Sequence, residues 1–123
     1  MKIQKFEQLV VWQKSQDLAV DIYSTFDELR DFSFRDQIRR ASVSISNNIA
    51  EGFDRNSAAD FNRFLYFAIS SCSEVRSMLY LAKRLNYISI ESNEKLNEQA
   101  NEVSKMITGL IKYLKRYYKT TNN

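Results

Sequence analysis

The chain contains no proline and only two glycines, Gly52 and Gly109, among its 123 residues. Proline and glycine are the residues that most often end helices and form the tight turns between strands. A chain that almost lacks them can run in long uninterrupted helices, and it lacks the turn residues that a protein of many short strands needs. The sequence therefore predicts an all-α fold, and its length predicts one domain with a single core.

Apolar residues recur at spacings of three and four along four segments, which is the pattern of helices with one buried face. We predict helices over residues 9–29, 35–53, 57–86 and 91–118, with the stretch RDFSF as a connection between the first two. Short connections place consecutive helices antiparallel, so the predicted architecture is an up-down-up-down four-helix bundle. The fourth helix is expected to bury the following residues: Leu96, Ala100, Val103, Ile107, Leu110, Leu114 and Tyr117.

Several residues have the chemistry of helix ends. Ser57 is expected to cap the third helix, and either Ser89 or Ser92 the fourth, because a hydroxyl oxygen can accept a hydrogen bond from a free backbone N–H. Gly52 lies near the predicted end of the second helix, where a residue that tolerates positive φ is common.

The sequence contains no histidine, and its single cysteine, Cys72, lies on the predicted apolar face of the third helix. Histidine is the commonest general base and metal ligand, so its absence argues against most catalytic and metal sites. An enzyme would have to use Glu51 with Glu74 as a carboxylate pair, or Ser44 or Ser71 as a nucleophile, and no activating partner is evident. We therefore expect no catalysis, no cofactor, no metal and no small-molecule substrate.

Polar residues interrupt every apolar stretch, so no segment is expected to span a membrane. The first residues, MKIQKFEQLVVWQK, lack the sustained apolar run and the small-residue cleavage site of a secretory signal. We expect a cytoplasmic protein.

A line of polar residues runs beside the apolar face of the second helix. Its members repeat every three or four positions and therefore share one side of the helix. We call them the polar ridge: Gln37, Arg40, Ser44, Asn48, Glu51 and Arg55. Glu51 precedes Arg55 by four residues, which is the favourable order for an ion pair within a helix. The ridge is expected to form hydrogen bonds within or between subunits, or to face a polar partner.

Positive charge is concentrated toward the C-terminal end. Residues 1–60 contain 8 Lys and Arg against 10 Asp and Glu, whereas residues 61–123 contain 10 against 5. The basic residues after Glu102, the last acid, could either compensate the negative end of a helix dipole or meet phosphate groups. The candidate nucleic-acid contacts are basic residues of the second and fourth helices: Arg39, Arg40, Arg55, Lys105, Lys112, Lys115, Arg116 and Lys119.

The start of the third helix, residues 61–69, is apolar nearly all round. One bundle core can cover only one side of such a helix. Four aromatic residues also fall outside the main apolar faces: Trp12, Tyr80, Tyr113 and Tyr118. Exposed apolar patches commonly become contacts between subunits, so we expect the chain to form a homo-oligomer.

Three motifs occur in order: VWQK at residues 11–14, NIAEGF at 48–53 and FLY at 64–66. With the segments around them, they resemble the family of four helix bundle proteins, also called 23S rRNA-intervening sequence proteins. The family usually has proline where this chain has Ser46 and commonly glycine where it has Asp54. Without the proline, the second helix is expected to be straighter than in relatives.

This resemblance implies an antiparallel bundle that assembles into a ring, with a homopentamer as the expected form. It also implies an association with RNA or DNA. Members were named for genes inside insertions in bacterial ribosomal RNA genes, and a similar bundle accompanies the reverse transcriptase of diversity-generating retroelements as a basic ring.

Two functions stay open at the level of the sequence. The first is a non-enzymatic adaptor that binds nucleic acid, RNA in particular, or protein through a basic face of a ring-shaped oligomer. The second is a purely structural oligomeric scaffold, in which the basic residues only keep the protein soluble and balance helix ends. A salt series of nucleic-acid binding distinguishes them, because phosphate binding weakens as salt rises.

Overall fold

The computed structural model describes residues 2–118, which form four α-helices preceded by a short 3-10 helix at Phe6–Gln8. The helices are α1 (Val10–Thr25), α2 (Phe32–Phe53), α3 (Ala58–Arg84) and α4 (Ile90–Tyr118). Each helix packs against the one before it, and α1 also packs against α4, so the four close an antiparallel bundle. Residues 2–118 contain no strand. The predicted all-α four-helix bundle is confirmed.

The core lies between the four apolar faces. Its largest fully buried side chains come from all four helices and from the residue just after α1: Leu18, Ile22, Phe26, Ile38, Ile45, Ile49, Leu65, Leu79, Leu96 and Ile107. The prediction for the end of α4 is wrong in part, since Leu110 is only half-buried and Tyr117 is 61% exposed, whereas Ile111 is buried. Ile111 continues the face of Ile107, and the hydroxyl of Tyr117 favours water at the open end of the bundle.

The first two helices differ from the prediction at the connection between them. α1 ends at Thr25 rather than at residue 29, and α2 begins at Phe32 rather than at residue 35, so part of the predicted connection is helical. The early start has a clear cause, because the Asp31 carboxylate accepts a hydrogen bond from the Phe34 N–H at 3.1 Å and caps α2. Phe26, just after α1, is buried against Phe34, with 5.7 Å between ring centroids.

The other helix ends follow simpler chemistry. The hydroxyls of Ser57 and Ser89 each accept a hydrogen bond, at 3.1 Å, from the N–H three residues further along, so Ser89 rather than Ser92 caps α4. Among residues 2–118, the residue with positive φ is Asn86, at 59°, just after α3. Gly52 has no positive φ, so its predicted role in ending α2 is wrong.

Gly52 instead allows α2 and α3 to pack closely. It is buried, and a Cβ at this position would lie 2.6 Å from the Cβ of Phe64 and 3.0 Å from Cδ1 of Phe61. A backbone-linked Cβ cannot move away without moving its helix, so only glycine fits this contact. α2 continues without a break through Ser46, whose hydroxyl accepts a hydrogen bond from Gln16 of α1 at 3.0 Å.

A second hydrogen bond of Asp31 joins the start of α2 to the connection after α3. The Tyr87 O–H donates to the Asp31 carboxylate at 2.7 Å, and the Tyr87 ring packs edge-on against Phe34. The hydrogen bond from Tyr87, with that from the Phe34 N–H, lowers the pKa of Asp31 from its ordinary 3.8. The same bond raises the pKa of Tyr87 above 10.0.

Tyr87→Phe is expected to lower the melting temperature at neutral pH, because it removes this hydrogen bond and keeps the ring. A carboxylate with a lowered pKa stabilises the fold above its unfolded pKa and loses that contribution as pH falls through the folded pKa. The difference between wild type and variant should therefore disappear as the pH falls below 3.8. Thermal melts followed by circular dichroism test this, with the exposed Tyr80→Phe as control; a difference independent of pH would contradict the role of Asp31.

Candidate functional site

Part of the polar ridge joins α2 to α3. The Ser71 O–H donates to the Ser44 hydroxyl oxygen at 2.9 Å, and the Asn48 amide donates to the same oxygen at 3.0 Å. Nearer the start of α2, the Gln37 amide donates to the Glu74 carboxylate at 3.2 Å. Ser44 and Asn48 are half-buried. This part of the ridge is a hydrogen-bond network within one subunit.

The remaining ridge residues, Arg40, Glu51 and Arg55, are exposed. The predicted ion pair between Glu51 and Arg55 is wrong for the described residues, 2–118, where no such contact occurs within 4.0 Å. Since α2 ends at Phe53, Arg55 leaves the helical line, and its guanidinium lies 4.6 Å from the centroid of the Phe64 ring. A shallow hollow of about 390 Å³ lies beside Arg40 and Glu51.

Arg39 makes all of its described contacts within the subunit. Its guanidinium donates to the Tyr23 carbonyl at 3.1 Å, lies 3.6 Å from the Asp27 carboxylate and stacks 4.5 Å from the centroid of the Tyr23 ring. The side chain is 18% exposed. Arg39 therefore joins the end of α1 to α2, a role that the sequence did not indicate.

Three basic residues of α4 lie on its outer side, and we call them the basic row: Lys105, Lys112 and Arg116. They are exposed, and the turns they occupy bury Val103 and Ile107 on the opposite side. Within residues 2–118, the side chains of Lys105 and Lys112 have no hydrogen bond, ion pair or ring contact, and the Arg116 guanidinium lies 5.9 Å from the centroid of the Tyr117 ring as its one such contact. The row is available to a partner.

The acidic residues near α4 do not neutralise the basic row. No Asp or Glu follows Glu102 in the sequence, and Glu102 itself lies 3.4 Å from Lys14 of α1. Lys115 lies outside the row, because its ammonium donates to the Tyr66 hydroxyl of α3 at 2.7 Å. Lys119, which was also predicted as a contact, lies outside the described residues.

Two features lie beside the basic row: a pair of tyrosines, whose sequence positions make them available for stacking, and a glycine that was missed as part of a site. Tyr113 and Tyr117 are 50% and 61% exposed, and their ring centroids lie 4.7 Å apart. Gly109 is exposed within α4, and a Cβ there would meet no atom within 4 Å. Glycine inside a helix costs about 1 kcal/mol relative to alanine, and no packing contact accounts for it here. In the sequence, the feature that could have indicated a role for Gly109 is its spacing of three or four residues from Lys105, Lys112 and Tyr113.

Apart from Glu51, which is exposed, the groups considered for catalysis are engaged in structural contacts. Cys72 is fully buried, its thiol donates to the Ala100 carbonyl at 3.2 Å, and burial raises its pKa to about 11. Ser44 and Ser71 bond to each other, and Glu74 accepts from Gln37. Within residues 2–118, no three Cys, Asp or Glu side chains come together as metal ligands would.

A hollow of about 680 Å³ lies at the end of the bundle near the α2–α3 connection. Its lining is mostly apolar, with Phe53, Phe61 and Leu110 as examples, and Lys2 and Arg55 also border it. None of the helices described is long and apolar enough to cross a lipid bilayer.

These observations define a class of protein: a small antiparallel four-helix bundle with a polar ridge between α2 and α3 and an exposed basic row on α4. The sequence model of the family described as 23S rRNA-intervening sequence protein matches residues 7–109. The chain belongs to this family, so the resemblance found in its motifs is confirmed.

A solved structure gives independent agreement. It is a protein with unknown function from the S23 ribosomal protein family of Bacteroides thetaiotaomicron VPI-5482, 34% identical to this chain. The match covers 84% of this chain and 99% of that one, with a TM-score of 0.79. A comparison with curated proteins gave no match.

Proposed function

We propose that this chain is a non-enzymatic, self-assembling cytoplasmic protein that binds nucleic acid, RNA in particular, through the basic face of α4. The observation that carries the proposal is the basic row, whose three exposed cations have no acidic partner within residues 2–118. Such cations attract phosphate groups, and phosphate contacts dominate nucleic-acid affinity. The matched family is described by reference to 23S rRNA-intervening sequences, and RNA is therefore the nucleic acid that we propose first.

Self-assembly is supported by apolar side chains on the outer side of α3. Phe67 and Leu81 occupy neighbouring directions around α3, and Leu85 follows directly after the helix; each of the three is close to half exposed. Their burial against further copies would remove apolar surface from water. A ring of five subunits would present the basic row five times, so that individually weak phosphate contacts act together.

The absence of catalysis is proposed on the chemistry of the site. The sequence has no histidine to serve as a base, and the only thiol is buried and protonated at neutral pH. The hydroxyls of Ser44 and Ser71 bond to each other rather than to a base.

The proposal is tested on the wild-type protein by light scattering and by fluorescence anisotropy. We expect a mass near five times the 14.5 kDa of one chain. Labelled single-stranded RNA should bind at about 50 mM salt and lose affinity steeply toward about 200 mM, as expected for several phosphate contacts. Absence of binding at the low salt concentration would refute nucleic-acid binding, and a mass of one chain would refute self-assembly.

A purely structural scaffold is the second candidate, and one observation favours it. Three of the predicted nucleic-acid contacts, Arg39, Arg55 and Lys115, contact groups of their own subunit. In a scaffold, the basic row would serve only to balance the negative end of the α4 dipole. Light scattering and anisotropy on the wild-type protein would identify a scaffold, since the mass would be that of an oligomer while RNA affinity would be absent.

A further inference from the structure

We propose that Gly109 is the floor of a contact site for single-stranded nucleic acid, a gap on the surface of α4 between the basic row and the Tyr113–Tyr117 pair. This inference rests on the proposed function and specifies where the strand lies and which form of nucleic acid is bound. It is carried by the position of Gly109, by the space around it and by the chemistry of its neighbours.

The position of Gly109 is the centre of the exposed face. On an α-helix, residues three and four apart are surface neighbours, and residues seven apart lie two turns away on the same side. Lys105 precedes Gly109 by four residues, Lys112 and Tyr113 follow by three and four, and Arg116 follows by seven. All four are exposed. The gap at Gly109 is therefore bordered by three cations and an aromatic ring.

The space at Gly109 is open. A Cβ would meet no atom within 4 Å, whereas a Cβ at Gly52 would overlap α3. Gly109 also has no positive φ and lies well inside α4, so neither a turn nor a helix end requires it. Glycine also occurs where another molecule approaches the backbone closely. At Gly109 such a molecule would approach from the exposed side of α4.

The neighbours of the gap select the ligand. The basic row complements the negative charge of a phosphodiester backbone, and Glu102, the nearest acid in the sequence, is paired with Lys14. Tyr113 and Tyr117 offer two exposed rings, and exposed aromatic rings bind unpaired bases by stacking. Bases in a duplex are already stacked, so this combination fits a single strand better than a duplex.

The test separates added charge from a filled gap. Gly109→Lys adds a cation and fills the gap, while Asn101→Lys adds a cation at an exposed position two turns earlier on α4. Anisotropy with labelled oligo(U), oligo(dT) and a duplex of equal length measures affinity in the wild-type protein and both variants. We expect Gly109→Lys to weaken binding of both single strands about 10-fold, the effect of losing one base stack, and Asn101→Lys to strengthen it.

A measurement of stability excludes unfolding as the cause. Lysine is a better helix former than glycine, so Gly109→Lys should raise the melting temperature by about 2–4 °C even though it weakens binding. Stronger single-strand binding by Gly109→Lys would overturn the inference and leave the proposed function intact. Weaker binding with a lowered melting temperature would also overturn it. If the wild-type protein binds none of the three probes, the proposed function itself fails.

Discussion

Gly52→Ala is expected to lower the free energy of unfolding by about 1–3 kcal/mol, the usual effect of adding a carbon atom to a well-packed core. The new Cβ would lie 2.6 Å from the Cβ of Phe64, and both atoms are fixed to helix backbones. This steric overlap can be relieved only if α2 and α3 move apart, and that movement would loosen the contacts of Phe61 and Phe64. The higher helix propensity of alanine offsets only part of this cost. Urea denaturation followed by circular dichroism measures the change.

The matched control is Gly109→Ala, the same chemical change at an exposed helical position. It should raise the free energy of unfolding by up to about 1 kcal/mol, because no atom lies within 4 Å of the new Cβ. Both variants should be compared at one protein concentration, since assembly contributes to stability. A Gly52→Ala protein as stable as wild type would show that the two helices are not held at this separation.

The triple variant Lys105→Gln, Lys112→Gln and Arg116→Gln is expected to lower the affinity for single-stranded RNA about 100-fold at about 100 mM salt. Each lost phosphate contact removes the gain from counterion release, and the losses add. The slope of log affinity against log salt should fall by about 2 for each subunit that contacts the strand. Anisotropy titrations over a salt series give both quantities.

The control for this variant must carry the same change in charge. Lys83→Gln, Arg84→Gln and Lys95→Gln also removes three exposed cations, from the end of α3 and the first half of α4. We expect it to reduce affinity only slightly. Equal losses in the two triple variants would show that net charge, rather than the basic row, determines binding.

The fold could be predicted because its determinants are local. The spacing of apolar residues, the near absence of glycine and proline and the capping residues Ser57 and Ser89 all act within one helix. The connection between α1 and α2 was misassigned because its geometry depends on distant residues. Phe34 packs against Phe26 and against Tyr87, which lies in the connection after α3. No local sequence pattern predicts such contacts.

The site could be predicted only in outline. The exposed side of α4 follows from helical periodicity, so Lys105, Lys112 and Arg116 were identified from the sequence. The contacts of Arg39 with Tyr23 and of Lys115 with Tyr66 could not be predicted, because they depend on how neighbouring helices are aligned. Gly52 and Gly109 have opposite environments, and only the packing of the helices distinguishes them.

The burial of Cys72 has a practical consequence for spectroscopy. Thiol reagents such as maleimides react with the thiolate, and a thiol with a pKa of about 11 in the bundle core is protected from them at neutral pH. A single cysteine introduced on an exposed helix face can therefore be coupled to a fluorophore or a spin label without removing the native one. Distances between such labels on neighbouring copies would give the arrangement of subunits directly in solution.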